Sequence, residues 1–338
     1  MTNLLLEWVI KCGVMLFILL TAVAYLTFLE RKVMSWIQLR TGPNRAGPWG
    51  LLTPAADGLK MLLKEDILPT AATKWLYIIA PAISVIPALM TFVVIPYGGT
   101  VNLFGRTIEL HVTNINIALL YIFALTSLGV YGLAIAGWSS NNKYSLMGGL
   151  RSSAQMISYE LALGLSIVGV LLLSGSLDLT KIVESQISAW GGYRWNVFLQ
   201  PLGFPIFFIA ALAETNRTPF DLPEADSELV AGYHTEYSGM KFAMFQMAEY
   251  LNLITSVSLS VTLYFGGWYG PGVETYPLLG VFYFAAKAFV FIFIIMWIRF
   301  TMPRFRYDQL MKFGWKVLLP FAIVNVILTG TMIMILNS

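Results

Sequence analysis

Long runs of apolar residues fill most of the chain, and short polar segments separate them. A helix that crosses the hydrocarbon core of a membrane needs about 20 mostly apolar residues. Eight runs approach or exceed this length, at about 6–29, 75–97, 115–137, 153–174, 197–213, 241–265, 278–299 and 317–336. The fifth gives the weakest signal, because it is short and contains Pro201 and Pro205. We therefore predict an all-α integral membrane protein with about eight transmembrane helices.

Two of the polar segments have a pattern of their own. In 51–65, leucines fall on one helical face and Asp57, Lys60 and Lys64 on the other, which predicts an amphipathic helix. This helix is expected either to lie at the lipid interface or to cover a site that opens toward the membrane. In 98–114, alternating apolar residues after a Gly-Gly pair predict a small hairpin on the outer face.

The first apolar run continues directly into Glu30, Arg31 and Lys32 without a small-residue cleavage site. We therefore expect a membrane helix there rather than a cleaved signal peptide. The chain has no tandem repeat and no low-complexity linker, so residues 1–338 are expected to form a single polytopic membrane domain.

The composition agrees with a membrane protein and excludes several other classes. Hydrophobic residues make up 57% of the chain and charged residues only 12%, whereas a soluble domain has roughly 25% charged residues. The formal net charge of +3 is too small to suggest a nucleic-acid partner. A single cysteine, Cys12, excludes a disulfide within the chain and an iron–sulfur cluster. The presence of only two histidines argues against haem or catalytic zinc, so any redox centres are expected in another chain.

The distribution of Lys and Arg predicts the orientation of the helices. Loops after the odd-numbered spans contain 16 of the 21 basic residues, and the loops on the opposite side contain 3. Because cytoplasmic loops are enriched in Lys and Arg, we expect the odd loops in the cytoplasm and both termini outside. We also expect ordered cytoplasmic loops, since glycines and prolines give the first one, from Arg40 to Pro48, a defined path. Its basic residues fit contacts with lipid headgroups or with a protein partner.

Three charged residues lie deep inside predicted spans, where charges are expensive and usually functional. Glu160 and Glu249 lie about eight residues from the cytoplasmic ends of their helices, or roughly 12 Å deep at 1.5 Å per residue. Lys287 lies near the predicted midplane of another span. One interpretation is a set of ion pairs that only fixes helix packing. The other is proton transfer, because a desolvated carboxyl can load and release a proton near neutral pH.

The loop after the fifth span contains the densest group of acids. Its run from Ala213 to Glu228 combines these acids with two prolines and with apolar residues such as Phe220. The acids of this run are Glu214, Asp221, Glu224, Asp226 and Glu228. A solvated loop would not favour the interleaved apolar residues, and the prolines stiffen the backbone. We therefore interpret the run as a coupling element that responds to protonation or to a ligand, with a solvated acidic loop as the alternative.

Several long motifs resemble those of one family. They are Phe28-Leu29-Glu30-Arg31-Lys32, Arg40 to Pro48, Ser158-Tyr159-Glu160, Glu214 to Gly239, Trp297-Ile298-Arg299 and Pro303 to Leu310. Over about residues 28–316 the chain resembles the H subunit of NADH-quinone oxidoreductase, the bacterial counterpart of the first mitochondrially encoded subunit of respiratory complex I. Membrane subunits of energy-converting hydrogenases resemble only the Pro-Phe-Asp core of the acidic loop, so the continuation beyond Glu228 favours the quinone-linked family.

The resemblance implies a membrane subunit of a proton-pumping enzyme, at the junction of its membrane and hydrophilic arms. It implies that this subunit forms most of the quinone chamber and couples quinone reduction to proton translocation. The implied quinone-binding residues are Glu30, Arg31, Arg40, Asp57 and Arg299. The implied proton-route and coupling residues are Glu160, Glu249 and Lys287, together with the five acids of the run. One departure is the span 115–137, which has no Asp or Glu although some relatives have an acid there.

The resemblance also implies partners and cofactors. It implies no metal and no redox centre in this chain, quinone as substrate, and NADH, FMN and iron–sulfur clusters in partner subunits, without independent catalysis by the isolated chain. Implied partners are the soluble subunits that hold the terminal iron–sulfur cluster and the quinone headgroup, the small and antiporter-like membrane subunits, and membrane lipids, in the bacterial inner membrane. A stand-alone secondary transporter is the alternative from another class. It predicts inverted repeats, and the sequence has no clear pair of matching halves.

Overall fold

A computed structural model describes residues 2–103, 106–188, 194–221 and 229–337. Most of these residues are helical, as the apolar pattern predicts. In chain order the helices are α1 (Thr2–Ile37), α2 (Thr53–Leu63), α3 (Lys74–Met90), α4 (Ala118–Ser139), α5 (Lys143–Ser174), α6 (Leu179–Ser188), α7 (Asn196–Leu199), α8 (Gly203–Glu214), α9 (Gly239–Tyr264), α10 (Leu279–Thr301), α11 (Tyr307–Phe313) and α12 (Leu319–Asn337).

Short elements complete the described ranges. Turns of 3₁₀ helix occupy Pro48–Gly50, Thr91–Val94 and Gly232–His234, and a π-helical turn occupies Gly314–Leu318. Strands β1 (Thr100–Leu103) and β2 (Arg106–Glu109) pair antiparallel, with Val101 opposite Ile108. This pairing confirms the hairpin predicted within 98–114.

Six helical segments within the described ranges are long and apolar enough to cross a membrane. They are Glu7–Ile37, Lys74–Val94, Ala118–Ser139, Lys143–Ser174, Leu279–Thr301 and Tyr307–Leu336. The last one joins α11 and α12 through the π-helical turn, so it begins well before the predicted start at 317. These segments confirm an all-α membrane architecture.

The predicted spans 197–213 and 241–265 differ from these six segments. The first contains α7 and α8, and α8 has only 12 residues. The second is α9, which has 26 residues, includes Glu249 and Asn252, and is largely buried among its neighbours. A helix enclosed by protein does not need the continuous apolar surface of a lipid-facing helix. Eight crossings therefore stay a prediction, with α8 and α9 as the two additional ones.

The amphipathic helix predicted within 51–65 is present as α2. None of its residues is buried, and Leu59, Leu62 and Leu63 are exposed. Asp57 of α2 forms a salt bridge of 2.7 Å with Arg31 of α1. The apolar side of α2 is therefore open, while its charged side contacts the end of α1.

A contact between two glycines brings the segment before α9 against α5. In the bundle α4 packs against α3 and α5, and α5 packs against α8 and α12. A Cβ added to Gly148 of α5 would lie 2.6 Å from the Cα of Gly232, so no larger side chain fits without a shift. Ser145 Oγ donates to the Tyr233 carbonyl at 3.0 Å and fixes the same contact.

The C-terminal end of α9 is held by side chains from three other helices. The donors are Gln186 of α6, Asn196 of α7 and Lys287 of α10, at 2.8–3.0 Å from their acceptors. The acceptors are the backbone carbonyls of Thr262, Leu263, Phe265, Gly267 and Tyr269. Thr262 and Leu263 are among the last carbonyls of α9, which lack partners within the helix, and the other three acceptors follow its end at Tyr264. These bonds therefore stabilise the end of α9 and the segment after it.

Candidate functional site

A buried ionic cluster joins α1 to the loop that follows α8. Glu30 of α1 and Arg217 of the loop are 6% and 4% exposed. Arg217 Nη1 donates to the two carboxylate oxygens of Glu30 at 3.2 and 3.1 Å. Arg299 of α10 donates to Glu30 Oε1, and the Tyr250 hydroxyl of α9 donates to Oε2 at 2.5 Å. Four segments of the chain therefore meet at one carboxylate.

The cluster contains more positive than negative charge. Two guanidinium groups, those of Arg217 and Arg299, share the single carboxylate of Glu30. The Arg217 guanidinium also lies over the ring of Tyr250, with Cζ 4.4 Å from the ring centroid, which is a cation–π contact. Arg299 is the more accessible of the two, since 30% of its side chain is exposed. The excess positive charge is therefore available on the Arg299 side.

A cavity of about 250 Å³, here called the α1 cavity, opens beside this cluster between α1, α9 and α10. Its polar lining residues are Thr27, Glu30, Arg31, Gln246, Tyr250 and Arg299. Met34 and Phe300 add apolar surface. Small-molecule sites combine an apolar concave surface with a few placed polar groups, and the α1 cavity has this composition.

Asp221 lies near the ionic cluster on the same loop. Its Oδ2 is 3.0 Å from Arg304 Nη2, and its Oδ1 has no hydrogen-bond partner in the described part of the chain. Burial raises the pKa of the Asp221 carboxyl to about 6, although Arg304 and Arg299 oppose the shift. Phe220 stacks on Phe305 with ring centroids 5.6 Å apart and holds this part of the loop against the segment after α10. Asp221 can therefore change its charge near neutral pH.

Side chains of α5 hold the backbone of this loop. Gln155 is fully buried, and its Nε2 donates to the carbonyls of Ala213 and Phe220, each at 2.8 Å. About one turn earlier in α5, Ser152 Oγ accepts a hydrogen bond of 3.1 Å from Asn216 Nδ2. The path of the loop is thus fixed by α5 as well as by Glu30.

A smaller cavity of about 20 Å³, here called the acidic cavity, lies on a different face of α9. Its polar lining residues are Ser84, Glu214, Thr215, Asn216, Glu249 and Asn252. The Tyr233 hydroxyl donates to Glu249 Oε1 at 2.8 Å. A cavity of this size with several polar partners has room for a water molecule. Glu214 and Glu249 therefore face one space in which a proton can be exchanged.

Two further contacts extend the acidic cavity. Ser127 of α4 donates to Glu160 of α5, and Glu160 is close enough to Glu214 for their charges to interact. A separate space of about 10 Å³ beside α9 has a mainly apolar lining, in which Thr215, Ser256 and Ser260 are the polar residues. A hydroxyl thus contacts Glu160 from the span 115–137, which has no acid of its own.

The helix α9 and the segment 214–217 separate the two cavities. In α9, Gln246 and Tyr250 line the α1 cavity, and Glu249 lines the acidic cavity. In the segment, Glu214 lines the acidic cavity and Arg217 binds Glu30 at the α1 cavity. The same two elements therefore contact both sites.

The structure brings together many of the residues singled out in the sequence, and it places others apart. Arg40 is exposed on the loop after α1, and Asp57 lies outside the lining and contacts Arg31. Lys287 binds backbone carbonyls at the far end of α9. Glu224, Asp226 and Glu228 lie outside the described residues.

Arg217, Tyr250, Gln155 and Tyr233 are site residues that the sequence analysis did not select. Arg217 is the only base in the acidic run, Tyr250 directly follows Glu249, and Gln155 lies three residues before the Ser158-Tyr159-Glu160 motif. Polar groups inside apolar spans are a signal that identifies Tyr250 and Gln155 as candidates. Their partners depend on contacts between distant segments, which the sequence pattern does not give.

The fold and the two cavities define a polytopic α-helical membrane protein with ionisable groups buried on either side of one helix. In the described ranges, no group of three His, Cys, Asp or Glu side chains is arranged to hold a metal ion.

Comparisons with known proteins identify the family. The family model for NADH dehydrogenase matches residues 10–330. The chain is 54% identical over 343 residues to the H 2 subunit of NADH-quinone oxidoreductase from Koribacter versatilis, covering 96% of each chain. It is 54% identical over 310 residues to the H subunit from Protochlamydia amoebophila, covering 92% of each, and 50% identical over 325 residues to the H 1 subunit from Geobacter metallireducens, covering 96% of each. The chain therefore belongs to the family of H subunits of NADH-quinone oxidoreductase and is part of an enzyme complex.

Proposed function

We propose that the α1 cavity is part of the chamber in which quinone binds and is reduced, and that the acidic cavity conducts the protons coupled to this reduction. The observation that supports this most directly is the shared wall. Glu249 and Tyr250 are consecutive in α9, and each lines a different cavity. A change of charge in one cavity therefore acts across a single helix on the other.

The chemistry of the α1 cavity suits quinone. Met34 and Phe300 offer apolar contacts to a ring or its tail, and Arg299 offers a positive group at the cavity surface. Reduction places negative charge on the quinone oxygens before protons arrive, and preorganised guanidinium groups stabilise such charge. Arg31 lines this cavity, Asp57 pairs with Arg31 outside the lining, and Arg40 lies on the loop after α1, where we place the entrance.

Proton coupling starts, in this proposal, at Asp221. Quinone reduction requires two protons near the α1 cavity. The ionised carboxyl of Asp221, with a pKa of about 6, can accept a proton there and pass it on. Asp221 interacts electrostatically with Arg217 and with Glu249, so its charge changes the field at both. Glu249, Glu214 and Glu160 then exchange protons inside the membrane. The acids Glu224, Asp226 and Glu228 belong to the same coupling loop, and Lys287 is retained as a candidate of the route.

The proposal includes the orientation of the chain in the membrane and its partner subunits. The basic loops, and with them the α1 cavity, face the cytoplasm, both termini face outward, and residues 1–338 form one polytopic domain in the bacterial inner membrane. No redox centre belongs to this chain. Electrons from NADH reach quinone through FMN and iron–sulfur clusters in soluble partner subunits, and the protons pass toward small and antiporter-like membrane subunits.

Narrowing of the α1 cavity tests the quinone assignment. The variant Met34→Trp places a larger ring on the wall of the cavity. In the purified complex, it is expected to raise the apparent KM for quinone by at least about fivefold, because uniform binding is lost. NADH oxidation by a water-soluble acceptor, which does not require the cavity, is expected to be unchanged.

The matched control is Met240→Trp, which makes the same change at an exposed methionine in the first turn of α9. It is expected to leave the KM for quinone unchanged. Equal KM values for quinone in Met34→Trp and the wild-type complex would contradict the assignment of the α1 cavity to quinone binding.

A further inference from the structure

One side chain holds the backbone beside two acids, Glu214 of the acidic cavity and Asp221 near the ionic cluster. Gln155 Nε2 donates to the carbonyls of Ala213 and Phe220, each at 2.8 Å. Ala213 immediately precedes Glu214 of the acidic cavity, and Phe220 immediately precedes Asp221 of the α1 side. A single nitrogen atom therefore fixes the backbone next to both acids.

The side chain of glutamine is suited to donating two hydrogen bonds from one nitrogen to these two carbonyls. A primary amide is neutral and has two N–H donors on one nitrogen. Methionine of similar length has no donor, and asparagine has both donors on a side chain that is one methylene shorter. Both acceptor residues and Gln155 itself are buried, so water cannot readily replace a lost bond.

The segment between the two carbonyls contains a strained turn, and buried side-chain oxygens in and beside it lack hydrogen-bond donors. Asn216 has a φ of 49°, in the left-handed region where asparagine is tolerated better than most residues. Within the described residues, buried oxygens of Gln155, Asn216 and Asp221 have no hydrogen-bond partner. The backbone is thus held while side-chain oxygens remain available to change partners. This combination fits a segment that transmits a change of protonation without changing its path.

We propose that Gln155 is a positioning residue for energy coupling, which holds Glu214 and Asp221 in one rigid frame so that a protonation change at one acts on the other. The inference rests on the function proposed above and deepens it. Without the two bonds of Gln155 both acids are still present, but they move independently. Quinone reduction then continues while fewer protons are moved for each NADH oxidised.

The test compares Gln155→Met with Ser153→Ala in the purified complex reconstituted into vesicles. Ser153 lies two residues away in α5 and donates only to its own helix, at the Gly149 carbonyl. Gln155→Met is expected to keep at least about half of the quinone reductase activity and to lower the protons moved per NADH at least about twofold. The acid limb of its pH–activity profile is expected to shift, because Asp221 follows Phe220 directly. Ser153→Ala is expected to change none of these values.

An unchanged ratio of protons to NADH in Gln155→Met would overturn the inference, whether or not the activity falls, since a merely structural role lowers both in proportion. If Gln155→Met does not assemble, Gln155→Asn is measured, with an intermediate ratio expected and an unchanged ratio overturning the inference. Failure of both variants to assemble, beside a normal Ser153→Ala, would overturn it as well. The variant Glu249→Gln in the same preparation tests the proposed function separately, because normal pumping there contradicts that function whatever Gln155 does.

Discussion

Glu30 and Arg217 form a buried ion pair although 187 positions separate them in the sequence. Arg217 Nη1 lies 3.1 Å from Glu30 Oε2. The side chain of Glu30 is 7% exposed, and that of Arg217 is 3% exposed. The pair fixes the loop that contains Asp221 to α1, at the wall of the α1 cavity. Loss of one partner from a buried pair leaves an uncompensated charge and destabilises a protein by about 3–5 kcal/mol, whereas an exposed pair contributes about 0–1 kcal/mol.

Neutralisation of Glu30 is therefore expected to be severe. In Glu30→Gln, the buried guanidinium of Arg217 and the partly exposed one of Arg299 lose their shared anion, so we expect a lower midpoint of thermal inactivation. We also expect quinone reductase activity to fall by at least about tenfold. The control is Glu7→Gln, which breaks the half-exposed pair of Glu7 and Lys11 on the same helix. Similar midpoints for both variants would show that the buried pair is not a principal support of the site.

The raised pKa of Asp221 predicts a pH dependence. Its pKa of about 6 lies above the ordinary value of 3.8, so the folded protein holds this proton more tightly than the unfolded chain does. The stabilisation from this group is fully present below about pH 4 and is lost as the pH rises through about 6. Quinone reductase activity, which uses the ionised pair with Arg304, is expected to fall as the pH drops below about 6.

Two variants test whether Asp221 causes the acid limb of the pH–activity profile, the fall in quinone reductase activity below about pH 6. Asp221→Asn is expected to abolish the acid limb near pH 6, and Arg304→Met is expected to move its midpoint upward, because Arg304 lowers the pKa of Asp221. Lys312→Met removes an exposed positive charge from α11 and is expected to leave the midpoint in place. If the midpoint of the acid limb is the same in Asp221→Asn as in the wild-type complex, the limb belongs to a different group.

Glu249→Gln tests the intramembrane route. The amide can still accept the hydrogen bond from Tyr233 but cannot exchange a proton at neutral pH, so assembly is expected to be intact. Proton pumping and quinone reductase activity are expected to fall together, as measured with a pH-sensitive dye and by NADH oxidation. Glu236→Gln is the control, since Glu236 accepts from Asn142 and lies outside the lining of the acidic cavity. Normal pumping in Glu249→Gln would remove Glu249 from the route.

Lys287 permits a test that distinguishes a proton carrier from a helix cap. Its bonds to the carbonyls of Phe265, Gly267 and Tyr269 support the cap. Arginine can donate to these carbonyls but is not deprotonated in proteins. We therefore expect Lys287→Arg to keep both pumping and thermal stability, and Lys287→Met to lose stability. A stable Lys287→Arg complex without pumping would instead support a proton carrier.

The sequence predicts the parts of this molecule that depend on local pattern. Apolar periodicity predicts the helical architecture and α2, and the energetic penalty of a buried charge selects Glu160 and Glu249. It does not predict that Arg217 binds Glu30, because this depends on how α1 packs against a loop far along the chain. Lys287 shows the same limit, since the sequence marks it as a charge inside an apolar run but does not give its carbonyl partners at the end of α9.

The fixed end of α9 has a mechanical consequence. Side chains of Gln186 and Asn196 hold its C-terminal carbonyls, and Lys287 holds the segment that follows, so the helix resembles a beam clamped at one end. Glu249 lies about 24 Å from that clamp at 1.5 Å per residue, and a tilt of about 2–3° there displaces it by about 1 Å. The displacement of α9 grows with distance from that clamp, so it is larger at Glu249 than near Leu263. A displacement of about 1 Å is enough to make or break the hydrogen bond between Glu249 and Tyr233.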